Sequence, residues 1–294
     1  MTFAAASLDV SLTTWALLAA LVIGMLAVDL RAFAHDHAPP LRESVAWSAV
    51  WLAVALAFGG LFWLWQGGDA GGQYFAGYLL ERSLSLDNVF VLAVIMGYFA
   101  VPPAVQPKVL SWGISLALVL RLVFILAGAA LLDAFHVTFY VFGALLLYTA
   151  WKLVTRTGHQ VDPERNPVLQ VLRRRFRLSP LVAVFVVVAT TDVVFAVDSI
   201  PAIFAVTQEP FIVFAANAFA ILGLRALYFL LVGMMDRFVY LSHGLALILA
   251  FIGAKMLLID VWHPPIWLSL AVIVGALAAT ALLSLRAAPE RTAV

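Results

Sequence analysis

Nine apolar stretches, each about as long as a bilayer is thick, constrain this chain more than anything else in its sequence. They run near residues 12–29, 44–65, 73–99, 109–132, 137–155, 180–207, 211–234, 240–259 and 265–286. A helix needs about 20 residues to cross a hydrocarbon layer of about 30 Å, and only helices or closed barrels satisfy their backbone in lipid. The connections are short and carry helix breakers: Pro39-Pro40, Gly67-Gly68, Gly71-Gly72, Pro102-Pro103, Pro107 and Pro264-Pro265. With 65% hydrophobic and 11% charged residues, no soluble core could absorb this surface. The expected fold is all-α and polytopic: one transmembrane domain over 1–294, with about nine transmembrane helices. The first apolar run lacks a basic n-region and reads as a retained helix. The chain has no cysteine, which excludes disulfides, thiolate ligands and thiol catalysis.

Loop charges set the expected orientation. The turns after spans 1, 3, 5 and 7, with the C-terminal segment, hold Arg31, Arg42, Lys108, Arg156, Arg165, Arg173, Arg174, Arg175, Arg177, Arg237, Arg286 and Arg291. The N-terminal segment and the other turns hold no Lys or Arg. The positive-inside rule then places the N-terminus outside and the C-terminus in the cytoplasm, in a bacterial inner membrane. Residues 156–179 read as a cytoplasmic loop whose Arg173-Arg174-Arg175-Phe176-Arg177 run sets topology or meets anionic lipid; no nucleic-acid partner is expected.

Two polar stretches interrupt the apolar runs. One is Glu81-Arg82-Ser83-Leu84-Ser85-Leu86-Asp87-Asn88; the other is Thr190-Thr191-Asp192, followed by Asp198-Ser199-Ile200-Pro201. A carboxylate near the bilayer centre costs about 2.5–3.5 kcal/mol on insertion scales, so it faces a partner, a cavity or an ion. The charges also repeat. Asp87-Asn88-Val89-Phe90 parallels Asp192-Val193-Val194-Phe195, and Arg121, Asp133 and Lys152 follow at almost the same spacing as Arg225, Asp236 and Lys255. Repeat one, about 73–155, starts outside, and repeat two, about 180–260, starts inside. The expectation is two inverted three-helix repeats, with spans 12–29, 44–65 and 265–286 peripheral. This is a recurring plan of secondary transporters.

Two readings of the midplane charges stand side by side. Asp87, Asp192 and Asp198 could form structural ion pairs with Arg121 and Arg225. Alternatively they form a cation site, with Asn88, Ser199 and Thr191 as neutral donors. Pro201 leaves the carbonyl of Val197 without its helix partner beside Asp198, which suits either a cation or a packing kink. Glu81, six residues from Asp87 and on another face, is expected at an outer vestibule or beside Arg82 or Lys255. Asp29, Asp260 and His263 are expected at the interface, and His35-Asp36-His37 in a solvated loop. The candidate ligands are oxygens, favouring Mg²⁺, Ca²⁺ or Mn²⁺ over copper or zinc. Four motif carboxylates less two arginines leave about one divalent cation's worth of charge. No nucleophile paired with a base, no His-Glu metal motif and no nucleotide loop is visible, so neither an enzyme nor a prosthetic group is expected.

At Gly77 through Glu81, Asp87 through Val91, Asp192 through Val206, Asn217 through Leu231 and Gly253 through Leu257, the chain resembles the TerC family of integral membrane proteins, most closely its Alx-type branch. The resemblance implies manganese homeostasis by Mn²⁺ export coupled to protons, a historical link to tellurite resistance, and pH-responsive control in that branch. It also implies a metal pathway through Glu81, Asp87, Asn88, Asp192 and Asp198; read from the residues themselves, Ser199 joins this metal set as a neutral donor, and Arg121, Arg225 and Lys255 are structural or pathway charges. A glutamate common in the family three residues before Asp192 is here Ala189, which implies a poorer site, a different ion preference, a compensating donor such as Thr190 or Thr191, or lost transport. The competing expectation is a membrane partner in a metal or tellurite stress-resistance complex that transports nothing.

Overall fold

A computed structural model describes residues 10–32, 39–155, 166–176, 179–232, 240–262 and 264–287. His35, Asp36, His37, Arg156, Arg165, Arg177, Asp236, Arg237, His263 and Arg291 lie outside the described residues. Every element among those described is a helix, in the order α1 Leu12–Ala32, α2 Leu41–Gln66, α3 Gly68–Tyr98, α4 Gln106–Ala134, α5 Val137–Thr155, α6 Pro167–Arg175, α7 Pro180–Phe204, α8 Pro210–Ile221, α9 Leu224–Val232, α10 Leu241–Leu257 and α11 Ile266–Ala287.

Six of these helices are long and apolar enough to cross a membrane: α1, α2, α4, α5, α7 and α11. The pair α8 and α9 makes a seventh span if read as one segment bent by 43°. The remaining two expected spans fall short for different reasons. α3 has 31 residues, but any membrane-length stretch of it includes three of Asp69, Glu81, Arg82 and Asp87. α10 is apolar but only 17 residues long.

Local chemistry sets the helix ends. Asn166 and Ser179 cap α6 and α7, each accepting from a backbone N–H three residues on, and prolines occupy the first turns of α6, α7 and α8. α7 continues through Pro201 to Phe204. The α8–α9 break sits at Gly223, whose φ of +82° is a conformation side chains rarely adopt. A Cβ there would also lie 2.7 Å from the Trp51 ring, so α2 packs directly against the break.

The core is α3 and α8, which are buried along most of their length. α4 and α7 flank them, and α5 packs along α10. At the α5–α10 crossing two backbones meet: a Cβ on Gly143 would lie 3.0 Å from the Gly253 carbonyl oxygen, and one on Gly253 2.9 Å from that of Gly143. Small residues permit such close approach where lipid supplies no hydrophobic drive between helices.

Candidate cation site at the break in α8 and α9

Helical periodicity aims three polar stripes at one place. On α3, Ser85, Asn88 and Leu92 follow Glu81 at spacings of four, three and four. On α7, Val188, Asp192, Phe195 and Ser199 do the same, and α4 contributes Leu110, Ile114, Ala117 and Arg121. Ser85, Asn88, Asp192 and Arg121 line one cavity of about 30 Å³, enough for one or two water molecules or a stripped ion. Ile221 and Leu224, on either side of the helix break, complete its wall. The polar wall residues lie near the middle of α3, α4 and α7.

Arg121 is the hub. It is buried, donates through Nη1 to Glu81, and reaches Ser199 Oγ at 2.8 Å. Asp192 lies within electrostatic range of both Arg121 and Glu81. The second Glu81 oxygen and Asp192 Oδ2 are buried with no hydrogen-bond partner among the described residues. In a membrane interior such oxygens call for a cation, a proton or water. Glu81 therefore pairs with Arg121 and not with Arg82 or Lys255, as the sequence reading had it. Rotation within α3 could not reveal this, because the partner stands on α4.

Arg82 has another task. Its guanidinium donates to the Ala220 carbonyl at 3.0 Å, in the last turn of α8, where helix carbonyls lack intrahelical partners. The end of α8 also carries the negative pole of its dipole, and Ile221 presents that end to the cavity. One turn back, Asn217 is fully buried, and neither of its amide atoms has a partner among the described residues.

Asp87 and Asp198 form a separate group. Asp198 accepts from Thr149 Oγ1 of α5 at 3.2 Å and lies within electrostatic range of Lys152 and Asp87. Six residues separate Asp192 from Asp198, about 9 Å along α7 and about 120° around it, so they face different neighbours. No set of three His, Asp or Glu side chains among the described residues is placed to hold one metal ion. The polar residues thus make two stations, not one convergent cluster. Lys255 points elsewhere, donating to Ser269 of α11 at 3.2 Å. Thr190 is also committed: its hydroxyl accepts from Asn166 at 2.6 Å and donates to a carbonyl one turn back.

Arg225 forms a second buried network that the sequence concealed. It pairs with Asp29 of α1 and reaches Ser111 Oγ of α4 at 2.6 Å, while Trp51 Nε1 donates to Asp29 at 3.1 Å. Asp29 was expected at the interface and is instead wholly buried. α1 is therefore pinned to the core by charge, beside the α8–α9 break.

Residues 66–292 match the family model described as Integral membrane protein TerC family. The chain is 42% identical over 291 residues to an uncharacterised membrane protein of Myxococcus xanthus, covering 92% of this chain and 91% of that one. It is 41% identical over 296 residues to the Escherichia coli (strain K12) protein Alx, whose name presents it as a candidate membrane-bound redox modulator; the match covers 90% of this chain and 92% of that protein. An uncharacterised membrane protein of Mycobacterium bovis matches at 42% over 268 residues, 83% of this chain and 68% of that protein. No solved structure matches the chain.

Proposed function

We propose that this chain, which belongs to the TerC family of integral membrane proteins, moves a divalent metal cation across the membrane in exchange for protons. The observation that carries the reading is the mid-helix cavity where Asp192, with one buried oxygen left unpartnered, meets Ser85, Asn88 and the C-terminal end of a broken helix. Broken helices lend such carbonyl ends to cations in many transporters. The cation would rest at Asp192 and pass to the Asp87–Asp198 station, about 9 Å further along α7.

The donors are carboxylate, amide and hydroxyl oxygens, with no histidine and no cysteine among them. Such a set favours hard ions, manganese foremost, over zinc or copper. Protons compete for the same carboxylate oxygens, so acid on the loading side slows transport. A redox effect of the kind named for the Alx proteins cannot run through thiols in a chain without cysteine. It would follow instead from control of a redox-active metal ion.

Packing supports two inverted repeats and nine spans, with α3 and α10 counted as spans and α8–α9 as one. α3 packs on α8 as α7 packs on α4, and α5 packs on α10, which is the exchange expected of a twofold axis. Along the α5–α10 crossing, Gly143 opposes Gly253, and the repeat offset sends these positions to Ala246 and Ala150, both buried. The loop charges support an N-terminus outside and a C-terminus in the cytoplasm.

The test is flux. Purified protein in liposomes containing a Mn²⁺-sensitive dye should load manganese in response to a pH gradient, and Asp192→Asn should abolish loading. Dye-silent wild-type liposomes under every gradient would leave a membrane partner that transports nothing.

A further inference from the structure

We infer that α6 is a re-entrant helix that anchors α7 to anionic phospholipid headgroups of the leaflet on its own side, through Arg173, Arg174 and Arg175. The inference rests on the chain spanning a membrane, and not on what it transports.

The geometry comes from two ties. At one end only two residues separate Phe176 from Ser179, three Cα–Cα steps with a reach of about 10 Å. At the other, Asn166 Nδ2 donates to Thr190 Oγ1 at 2.6 Å while its Oδ1 caps the Leu169 N–H at 3.0 Å. From Asn166 to Phe176 is ten residues, and from Pro180 to Thr190 is also ten, each about 15 Å of helix. α6 therefore runs antiparallel along the first ten residues of α7. Thr190 lies near the middle of the 25-residue α7, so α6 begins deep and ends about 15 Å outward, which is half the hydrocarbon thickness.

Side chains match that depth. Leu169 is buried against the protein. Val168 and Val171, from the deeper part of α6, continue the same apolar arc yet are 44% and 61% exposed, a face suited to acyl chains. The three arginines follow in the last turn, all exposed, at the height of the headgroups. Basic residues at a leaflet surface attract anionic lipid, and phosphate accepts a guanidinium fork well. Lysine or arginine in a last turn also suits the helix dipole, but that role does not require flanking valines facing outward. The consequence is a lipid-held helix whose inner end is bonded to α7 two residues before Asp192.

Because the chain has no cysteine, Val171→Cys gives a single labelling site in the full-length protein. A spin label there, in nanodiscs of phosphatidylcholine with phosphatidylglycerol, should be relaxed by oxygen and shielded from a water-soluble nickel chelate. Separately, protein extracted from mixed-lipid membranes should retain phosphatidylglycerol over phosphatidylcholine. Arg173→Gln/Arg174→Gln/Arg175→Gln should lower that preference at least tenfold while the label at 171 stays in lipid. A label as open to the nickel chelate as a water-exposed loop position would overturn the re-entrant placement. Unchanged phosphatidylglycerol retention in the triple variant would overturn the headgroup site. So would loss of polyuridylate binding with retention intact, which would mark a nucleic-acid surface.

Discussion

Removing the carboxylate of Asp29 should damage the fold more than its place at the end of an apolar run suggests. Both side chains of the Asp29–Arg225 pair are 1% exposed, and Arg225 also donates to the Asp29 backbone carbonyl and to Ser111 Oγ. Asp29→Leu breaks this buried ion pair by removing one partner, which costs about 3–5 kcal/mol. At about 2–4 °C per kcal/mol for a chain of this size, the apparent Tm in detergent should fall by roughly 6–20 °C. Arg225→Met should do the same by stranding the carboxylate. The double variant Asp29→Leu/Arg225→Met removes both charges and leaves chiefly the Trp51 Nε1–H without an acceptor, about 1–3 kcal/mol. Its Tm should therefore lie above that of either single variant. The assay is thermal unfolding of the four proteins in one detergent, read by tryptophan fluorescence and by the monodisperse fraction on a sizing column. A double variant that falls by the sum of the two single losses, or an Asp29→Leu protein as stable as wild type, would refute the reasoning.

Asp192→Asn keeps the side-chain size in the cavity and should abolish metal flux while shifting Tm by no more than about 2 °C, checked by the liposome assay and the same melting curves. Gly253→Ala should lower expression and Tm, because its Cβ would sit 2.9 Å from the backbone oxygen of Gly143 and a backbone cannot swing aside; Gly24→Ala, with open space around it, should leave both unchanged. Reporter fusions at Gly68, Phe135 and Glu209 should read outside and a fusion at Val161 cytoplasmic; the reverse at Val161 would overturn the orientation.

The apolar runs show the helices plainly, since a stretch that must cross lipid has no other way to satisfy its backbone. Each of the nine expected runs contains a helix or helix pair in the structure. What the runs hid was internal. The break at Gly223 lies inside unbroken apolar sequence, and its marker is a lone glycine two residues before a buried arginine. The α6 helix looked like loop because its charge dominates so short a stretch, although Asn166-Pro167 is a sound helix start. Arg121 and Arg225 were legible as a repeated pair, but their partners were not. Glu81 and Asp29 come from other helices, and rotation along one helix says nothing about which neighbour stands opposite. Asp29 was the harder case, because a carboxylate at the end of a span usually meets water. Asp192, Asn88 and Ser199 do gather around Arg121 and its cavity, because spacings of three and four carry across a whole helix face. Ser85 shares that face and was missed only because a serine in a membrane helix is unremarked without a cavity beside it.

The close crossing of Gly143 and Gly253 has a mechanical consequence. Where helices mesh through side chains, sliding one past the other means lifting knobs out of holes, and packed interfaces move in discrete jumps. At this crossing two peptide backbones bear on each other, with the Leu257 side chain against Gly143 and those of Leu146 and Leu147 against Gly253, so the crossing is interlocked on both sides and resists sliding. The α5–α10 pair is therefore held as one unit, free to shift only by a discrete step and not by a gradual slide.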